Sequence, residues 1–251
     1  MTETALITGA ADRLGAAMAR RLASAGYRVV IHYRKSAGPA EALVQSIRES
    51  GGEAACIAAD LSDRGDRKRL IADAGRFFGP LRVLVNNAST FEPDSPQTID
   101  EDLWDHHFAV HVEAPAFLAR DFAAQLPADA TGNIVNIIDE RVWKLTPSYF
   151  SYTVSKSALW TMTRTLAQGL APRVRVNAIG PGPTLPHARQ SQEDFERALQ
   201  RLPLQRGATP DDIAEALVFL LRSPAITGQM LALDGGEHLE FRPESGVTHR
   251  K

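Results

Sequence analysis

Tyr152-Thr153-Val154-Ser155-Lys156 sets a phenol and an ammonium four positions apart. On a helix those two side chains share one face. A free Tyr has a pKa of about 10 and a free Lys about 10.4. An adjacent ammonium favours the phenolate and lowers the Tyr value. Such a pair can move a proton near neutral pH, as a general acid must. The five-residue pattern alone is common on helix surfaces, so its meaning depends on what surrounds it. A second set lies near the N-terminus. Thr8-Gly9-Ala10-Ala11-Asp12-Arg13-Leu14-Gly15 joins an apolar run to a helical pattern. Glycine lets backbone approach closely, and a helix N-terminus offers free N–H groups and the positive end of its dipole, so the turn suits phosphate. Its spacing is not the G-x-G-x-x-G fingerprint, and a glycine turn also serves plain packing.

A third set follows at His32-Tyr33-Arg34-Lys35-Ser36. In a dinucleotide-binding fold this position meets the adenosine ribose. An acid there binds the 2′-hydroxyl, and a base accommodates a 2′-phosphate. Arg34 and Lys35 are basic, Ser36 can donate, and Arg13 adds a cation, which favours NADP(H); the alternative is a solvated basic turn. Asp60-Leu61 offers a carboxylate to an adenine amino group, although an isolated Asp at this place reads first as a helix N-cap. Asn86-Asn87-Ala88-Ser89 reads as a turn.

Positioning these sets requires an alternation of strands and helices. Short apolar runs at 5–8, 28–33, 54–59, 82–86, 133–138, 173–179 and 229–233 read as strands. Helical patterns fall at 13–25, 40–50, 67–78, about 99–125, 149–169, 193–201 and 210–222. Near-continuous apolar strands alternating with helices predict a mostly parallel, seven-stranded sheet covered on both faces, a doubly wound α/β Rossmann-type fold. No linker or composition break interrupts the rhythm. One domain over 1–236 is expected, followed by a tail at 237–251 that either hangs free or covers the site.

The 251 residues carry 28 Lys plus Arg against 30 Asp plus Glu, a net charge of −2, which gives no overall basic charge for nucleic acid. The hydrophobic fraction of 44% fits a globular chain. A lone cysteine, Cys56, excludes an intramolecular disulfide and a multi-cysteine metal site. No signal-peptide pattern and no membrane-length apolar run is present, so a cytoplasmic location is expected, with no membrane partner and no metal.

Thr8-Gly9 through Gly15, Asn86-Asn87-Ala88, Tyr152 with Lys156, Asn177, Pro181-Gly182 and Asp234-Gly235-Gly236 occur in the order of the short-chain dehydrogenase/reductase superfamily. The chain resembles that superfamily over roughly residues 3–240. The resemblance implies a nicotinamide cofactor, with Tyr152 as proton donor. It makes Lys156 the residue that holds the nicotinamide ribose and lowers the Tyr152 pKa, and it places Pro181 and Gly182 in the nicotinamide pocket. It also carries the cofactor sites Gly9, Arg13, Leu14 and Gly15, the segment His32 to Ser36, Asp60 with Leu61, and Asn87, Ala88 and Ser89. The chain departs from the usual pattern in three places. Arg13 replaces a glycine of the turn, Asp139 stands where a catalytic serine is usual, and His111 stands where an asparagine of a proton relay is usual.

The first two departures resemble the pteridine reductase branch, which includes dihydromonapterin and dihydrofolate reductases of this fold. So do His32-Tyr33 with Lys35-Ser36, Asn87-Ala88-Ser89 followed by Phe91, and Asn136-Ile137-Ile138-Asp139. That branch implies NADPH as cofactor and a pterin as substrate. The flat pterin would be sandwiched between Phe91 and the nicotinamide, bonded by Ser89, and reached by Arg13. Asp139 and Tyr152 would serve the ring nitrogen that takes a proton when the neighbouring carbon takes hydride. Asp139 also reads as a turn cap, and His111 as a packed helical histidine. The rivals are a general NADPH-dependent carbonyl or enone reductase and a non-catalytic NADP(H) sensor. A homotetramer, joined through helices around Phe108 and Tyr152 and the C-terminal strand, is implied by the resemblance.

Overall fold

A computed structural model describes residues 2–187 and 189–239. Seven strands form one sheet in the order β3-β2-β1-β4-β5-β6-β7, and every neighbouring pair is parallel. They are β1 (Thr4–Ile7), β2 (Arg28–Tyr33), β3 (Ala54–Ala58), β4 (Leu81–Asn86), β5 (Gly132–Ile137), β6 (Val174–Pro181) and β7 (Met230–Leu233). Alternate side chains of each strand feed two separate cores. Ala5, Ile7, Val29, Ile31, Val83, Val85, Val135 and Ile137 pack beneath α1 (Arg13–Ser24), α2 (Ala37–Glu49) and α8 (Pro210–Arg222). Leu6, Val30, Leu84 and Ile134 point the other way. They meet α3 (Arg64–Phe78), α5 (Ala114–Gln125) and α6 (Phe150–Gly169). Strands buried on both faces are why the sequence shows apolar runs rather than alternation.

The strand order reverses between β1 and β4, with Ile7 paired to both Ile31 and Val85. Ligands of doubly wound sheets bind beyond the carboxyl ends of the strands at that switch. The glycine turn after β1 and the Asn87-Ala88-Ser89 turn after β4 meet there.

The long helix expected near 99–125 is interrupted. α4 (Glu101–Phe108) passes through one wide π-helical turn at Ala109–Glu113 before α5 begins. Pro115 lies in the first turn of α5. It has no N–H to give the carbonyl of His111 and its ring crowds that carbonyl, which favours the wider turn. The turn buries Val110 and His111. α7 (Gln192–Leu199) completes the helices. Among the described residues no helix is long and apolar enough to cross a membrane. The tail expected at 237–251 begins as a short turn at Glu237–Leu239, and residues 240–251 lie outside the described residues.

Candidate active site

The glycine turn is built for close approach. Gly9 has φ +59, and a Cβ there would stand 2.8 Å from the Ala88 Cα. A Cβ on Gly15 would stand 2.5 Å from the Ala10 Cα. Thr8 Oγ1 accepts from the amides of Asn87 and Ala88, and the Asn87 side chain donates to the carbonyls of Thr8 and Gly9. Asn87 therefore fixes the turn rather than facing a ligand. His32 does the same from β2. Its Nδ1 accepts from the Gly9 amide at 3.0 Å, and its Nε2 donates to the Ala59 carbonyl at 3.0 Å. Burial pushes its pKa down to about 4, so both ring nitrogens are spent in a neutral form. α1 starts at Arg13 with no side-chain cap and no acid in its first turn. Side chains close the starts of α3, α4 and α8, at Asp63, Asp100 and Thr209, whereas α2, α5 and α6, like α1, start without one. An uncapped N-terminus beside a glycine turn is the arrangement a pyrophosphate needs.

Gly9, His32, Tyr33, Arg34, Ser36, Asp60, Leu61, Ala88 and Ser89 line one cleft, together with Ala11, Asp12, Thr90, His106 and Val110. α2 also begins without a side-chain cap, at Ser36, beside Arg34. A second free helix start next to a guanidinium fits a 2′-phosphate. Asp60 is not the N-cap of α3, which is Asp63. Asp60 Oδ1 instead accepts from the amide and hydroxyl of Ser62. Burial pushes the Asp60 pKa up, but those bonds and Arg34 outweigh it and hold it low. Lys35, Leu14, Gly15, Pro181 and Gly182 do not line this cleft. Leu14 packs into the core, and Gly182 is held by the Leu233 carbonyl, with no room for a Cβ against Asp234.

The chemistry lies at the end of β5 and the start of α6. Tyr152 Oη donates to Asp139 Oδ2 at 2.7 Å. Asp139 Oδ1 caps the turn that follows by accepting from the Arg141 amide at 3.0 Å, so this one side chain both caps and contacts the tyrosine. Lys156 shares the helix face as expected, but its ammonium donates to the Ile137 carbonyl at 2.9 Å and lies 5.6 Å from the Tyr152 ring centroid. Lys156 therefore does not govern the phenol in the way its spacing suggested. Burial, the Asp139 charge and the Asp139 hydrogen bond hold the Tyr152 pKa well above its ordinary value. Burial pushes the Lys156 pKa down to about 8, with Asp139 opposing. The phenol keeps its proton, which is the state a donor must start from.

Aromatic rings wall the space in front of this pair. Phe91 meets the Tyr152 ring edge-on at 4.8 Å and stacks on Tyr149 at 4.1 Å with 9° between planes. Tyr149 is a left-handed residue at φ 57 whose amide is held by the Asp94 carbonyl. The Arg141 guanidinium lies 5.7 Å from the Phe91 centroid and 5.3 Å from that of Tyr149. Arg13, also left-handed at φ 50, sends its guanidinium to the Pro186 carbonyl at 3.2 and 3.3 Å. It thus binds the segment after Gly182 from the floor of the glycine turn. Arg189 ties the same segment to the Phe91 carbonyl and to Glu92. Trp143 packs on Trp160 and His238 rather than on Phe91, and Phe150 packs on Trp104.

Residues 9–238 match the family model described as enoyl-(acyl carrier protein) reductase. The chain belongs to the short-chain dehydrogenase/reductase family. As such it is an NAD(P)-dependent oxidoreductase, and the Arg34–Ser36 end of its cleft, where a guanidinium meets the uncapped start of α2, suits the 2′-phosphorylated cofactor. Two crystal structures of alternative dihydrofolate reductase 1 (FolM) with NADP are similar to it. That from Brucella canis is 50% identical at TM-score 0.94, covering 98% of this chain and 97% of that one. That from Brucella suis is 51% identical at TM-score 0.94, covering 97% and 98%. By sequence, an uncharacterized oxidoreductase of Methylorubrum extorquens is 34% identical over 93% of this chain and 97% of its own length. A 3-oxoacyl-[acyl-carrier-protein] reductase of Staphylococcus aureus is 30% identical over 95% and 99%.

The sequence reading of this short-chain dehydrogenase/reductase missed the specific placement of Tyr149 and the Arg189 tie. Both depend on a loop meeting a helix start, and neither leaves a spacing signal.

Proposed function

We propose that this short-chain dehydrogenase/reductase is an NADPH-dependent reductase of a pterin of the dihydropterin or dihydrofolate type. One observation carries the reading: a protonated Tyr152 bonded to Asp139, set at the edge of Phe91. A flat heterocycle laid on an aromatic wall would present a ring nitrogen to that acid pair. The identity of 50% and 51% to enzymes described as dihydrofolate reductases supports the same reading.

Bound NADPH supplies the hydride, which goes to a ring carbon. The residues of the chain do the rest. Arg34 and Ser36 would hold the 2′-phosphate, with Lys35 adding charge from beside the cleft. The amides of the Gly9–Gly15 turn would hold the pyrophosphate, and Lys156 would hold the nicotinamide ribose. Tyr152 Oη gives its proton to the adjacent ring nitrogen, and Asp139 Oδ2 passes a solvent proton back to the phenol. Phe91 and Ser89 orient the ring. Carbonyl reduction is the second reading, favoured by the 30% identity to a 3-oxoacyl-[acyl-carrier-protein] reductase. The enzyme acts as a homotetramer in this proposal, and sedimentation would show that mass.

NADPH oxidation is measured with dihydrobiopterin, dihydromonapterin and dihydrofolate beside ketones and an acyl thioester, with NADH in parallel. The expected result is turnover of at least one pterin with NADPH. Turnover on carbonyls alone overturns the pterin reading and leaves the carbonyl one.

A further inference from the structure

His111 lies at the centre of the wide turn and is 1% exposed. Its Nε2 is met by two groups of the loop after β4: the Thr90 amide at 3.2 Å and the Ser89 hydroxyl at 3.0 Å. Its Nδ1 is 2.8 Å from Ser155 Oγ on α6. The tautomer follows from the one partner that has no choice. A backbone N–H only donates, so Nε2 must offer a lone pair to Thr90. The ring proton is then on Nδ1 and goes to Ser155 Oγ. Ser155 in turn donates to the Tyr152 carbonyl at 2.8 Å, which completes an unbroken donor sequence. The ring faces the Tyr152 ring edge-on at 5.4 Å and stacks on His107 at 5.5 Å. Its nitrogens are taken up by Ser89, Thr90 and Ser155 rather than by the phenol or the Lys156 ammonium, so it carries no proton to either.

We propose that His111, as the neutral Nδ1–H tautomer, is the positioning residue that fixes the Ser89–Thr90 loop to the catalytic helix and thereby sets where Phe91 and Ser89 stand against the substrate. The proposal rests on the reading of that loop as a substrate wall. It assigns the histidine no role in proton transfer. Protonation would place an N–H against the Thr90 N–H and break the link. The charged and titratable groups around the ring oppose protonation: burial first, then Lys156 from α6 and His107 and His106 from α4, all lower its pKa. The acids near this region, Asp94 and Glu92, act on His107 rather than on His111. The neutral ring, and with it the link, is therefore favoured at neutral pH.

Two measurements test this. The first is 15N NMR of histidine-labelled wild-type enzyme. The expected His111 signals are a pyridine-type Nε2 and a pyrrole-type Nδ1, unchanged between about pH 5 and 8. A protonated Nε2, or titration within that range, overturns the proposal. The second is His111→Phe, which keeps a ring and deletes both nitrogens. Releasing the Thr90 amide and Ser89 hydroxyl from their anchor should raise KM for the accepted substrate about tenfold. NADPH affinity should stay within about twofold and kcat within about threefold, because the loss falls on substrate placement. An unchanged KM, or a KM that rises only in step with the NADPH Kd, overturns it. The NMR result decides alone if the variant does not fold. A wild-type enzyme inactive on every pterin would sink the proposed function while leaving the tautomer measurement valid, so the two failures are distinguishable.

Discussion

With Asp139 Oδ2 at 2.7 Å and 5% exposure, Tyr152 is an acid whose proton is retained by burial first and then by the negative charge next to it. Removing that charge while keeping the shape releases the constraint. Asp139→Asn should lower the Tyr152 pKa, so the alkaline limb of the kcat/KM profile should move to lower pH. A limb that stays in place would show that Asp139 does not set the phenol. Tyr152→Phe should lower kcat by about 10²- to 10⁴-fold, the usual worth of a general acid. NADPH binding, followed by fluorescence titration, should be retained. The Tyr–Lys pair was legible in the sequence because one helix carries both residues at a fixed spacing. The electrostatics were not. Spacing says that two side chains share a face, but the ammonium turns to the Ile137 carbonyl and the phenol turns to Asp139. The His111 link was equally hidden, since it joins a loop, a wide turn and α6, which are far apart in the chain.

At the scale of elements, apolar periodicity located every strand and helix within a few residues, because each buries a continuous stripe or run. What it missed was the break at Ala109–Glu113, since a π-turn shifts the register without altering composition. The two uncapped helix starts at the cleft contrast with the capping box of Thr209 and Asp212 on α8. Thr209→Ala removes that box on an exposed helix end away from the cleft. It should cost about 1 kcal/mol, read as a Tm lower by about 2–4 °C, with kcat unchanged. Gly9→Ala should do the reverse. The left-handed backbone costs about 1–2 kcal/mol, and the new methyl must push Ala88 and the turn apart. NADPH affinity should fall by more than about tenfold, since the amides would no longer converge on phosphate. Retained affinity would remove the glycine turn from the binding site.

Over the whole molecule the buried titratable groups set how stability follows pH. Folding keeps His32 neutral, with its pKa down from 6.5 to about 4, and burial also lowers those of His107 and His111. Such groups bind a proton more readily once unfolded, so their contribution is complete above pH 6.5 and is lost as the pH falls below it. Glu140 works in the opposite sense. Burial, aided by Asp139 and Glu237, raises its pKa from 4.5 to about 9, so its contribution is present at low pH and is lost as the pH rises through that interval. Below 6.5 three histidines oppose Glu140 and Glu237, whose carboxyl pKa burial also raises, and the net slope is a loss of stability on acidification. Above 6.5 the histidines no longer contribute a slope, and Glu140 drives a decline. That decline continues to about pH 8, where Lys156 begins to oppose it. Its pKa is held at about 8 instead of 10.5 by burial, so folding gains from its neutral form as the pH rises further. Tm measured across this range should therefore peak near pH 6.5 and fall towards both sides. Glu140→Gln, which keeps the shape and cannot ionise, should abolish the alkaline fall while leaving the acid one. A wild-type Tm that climbs from pH 6.5 to 8, or an alkaline fall that survives in the glutamine variant, would mean that the turn after β5 does not hold Glu140 in its protonated form.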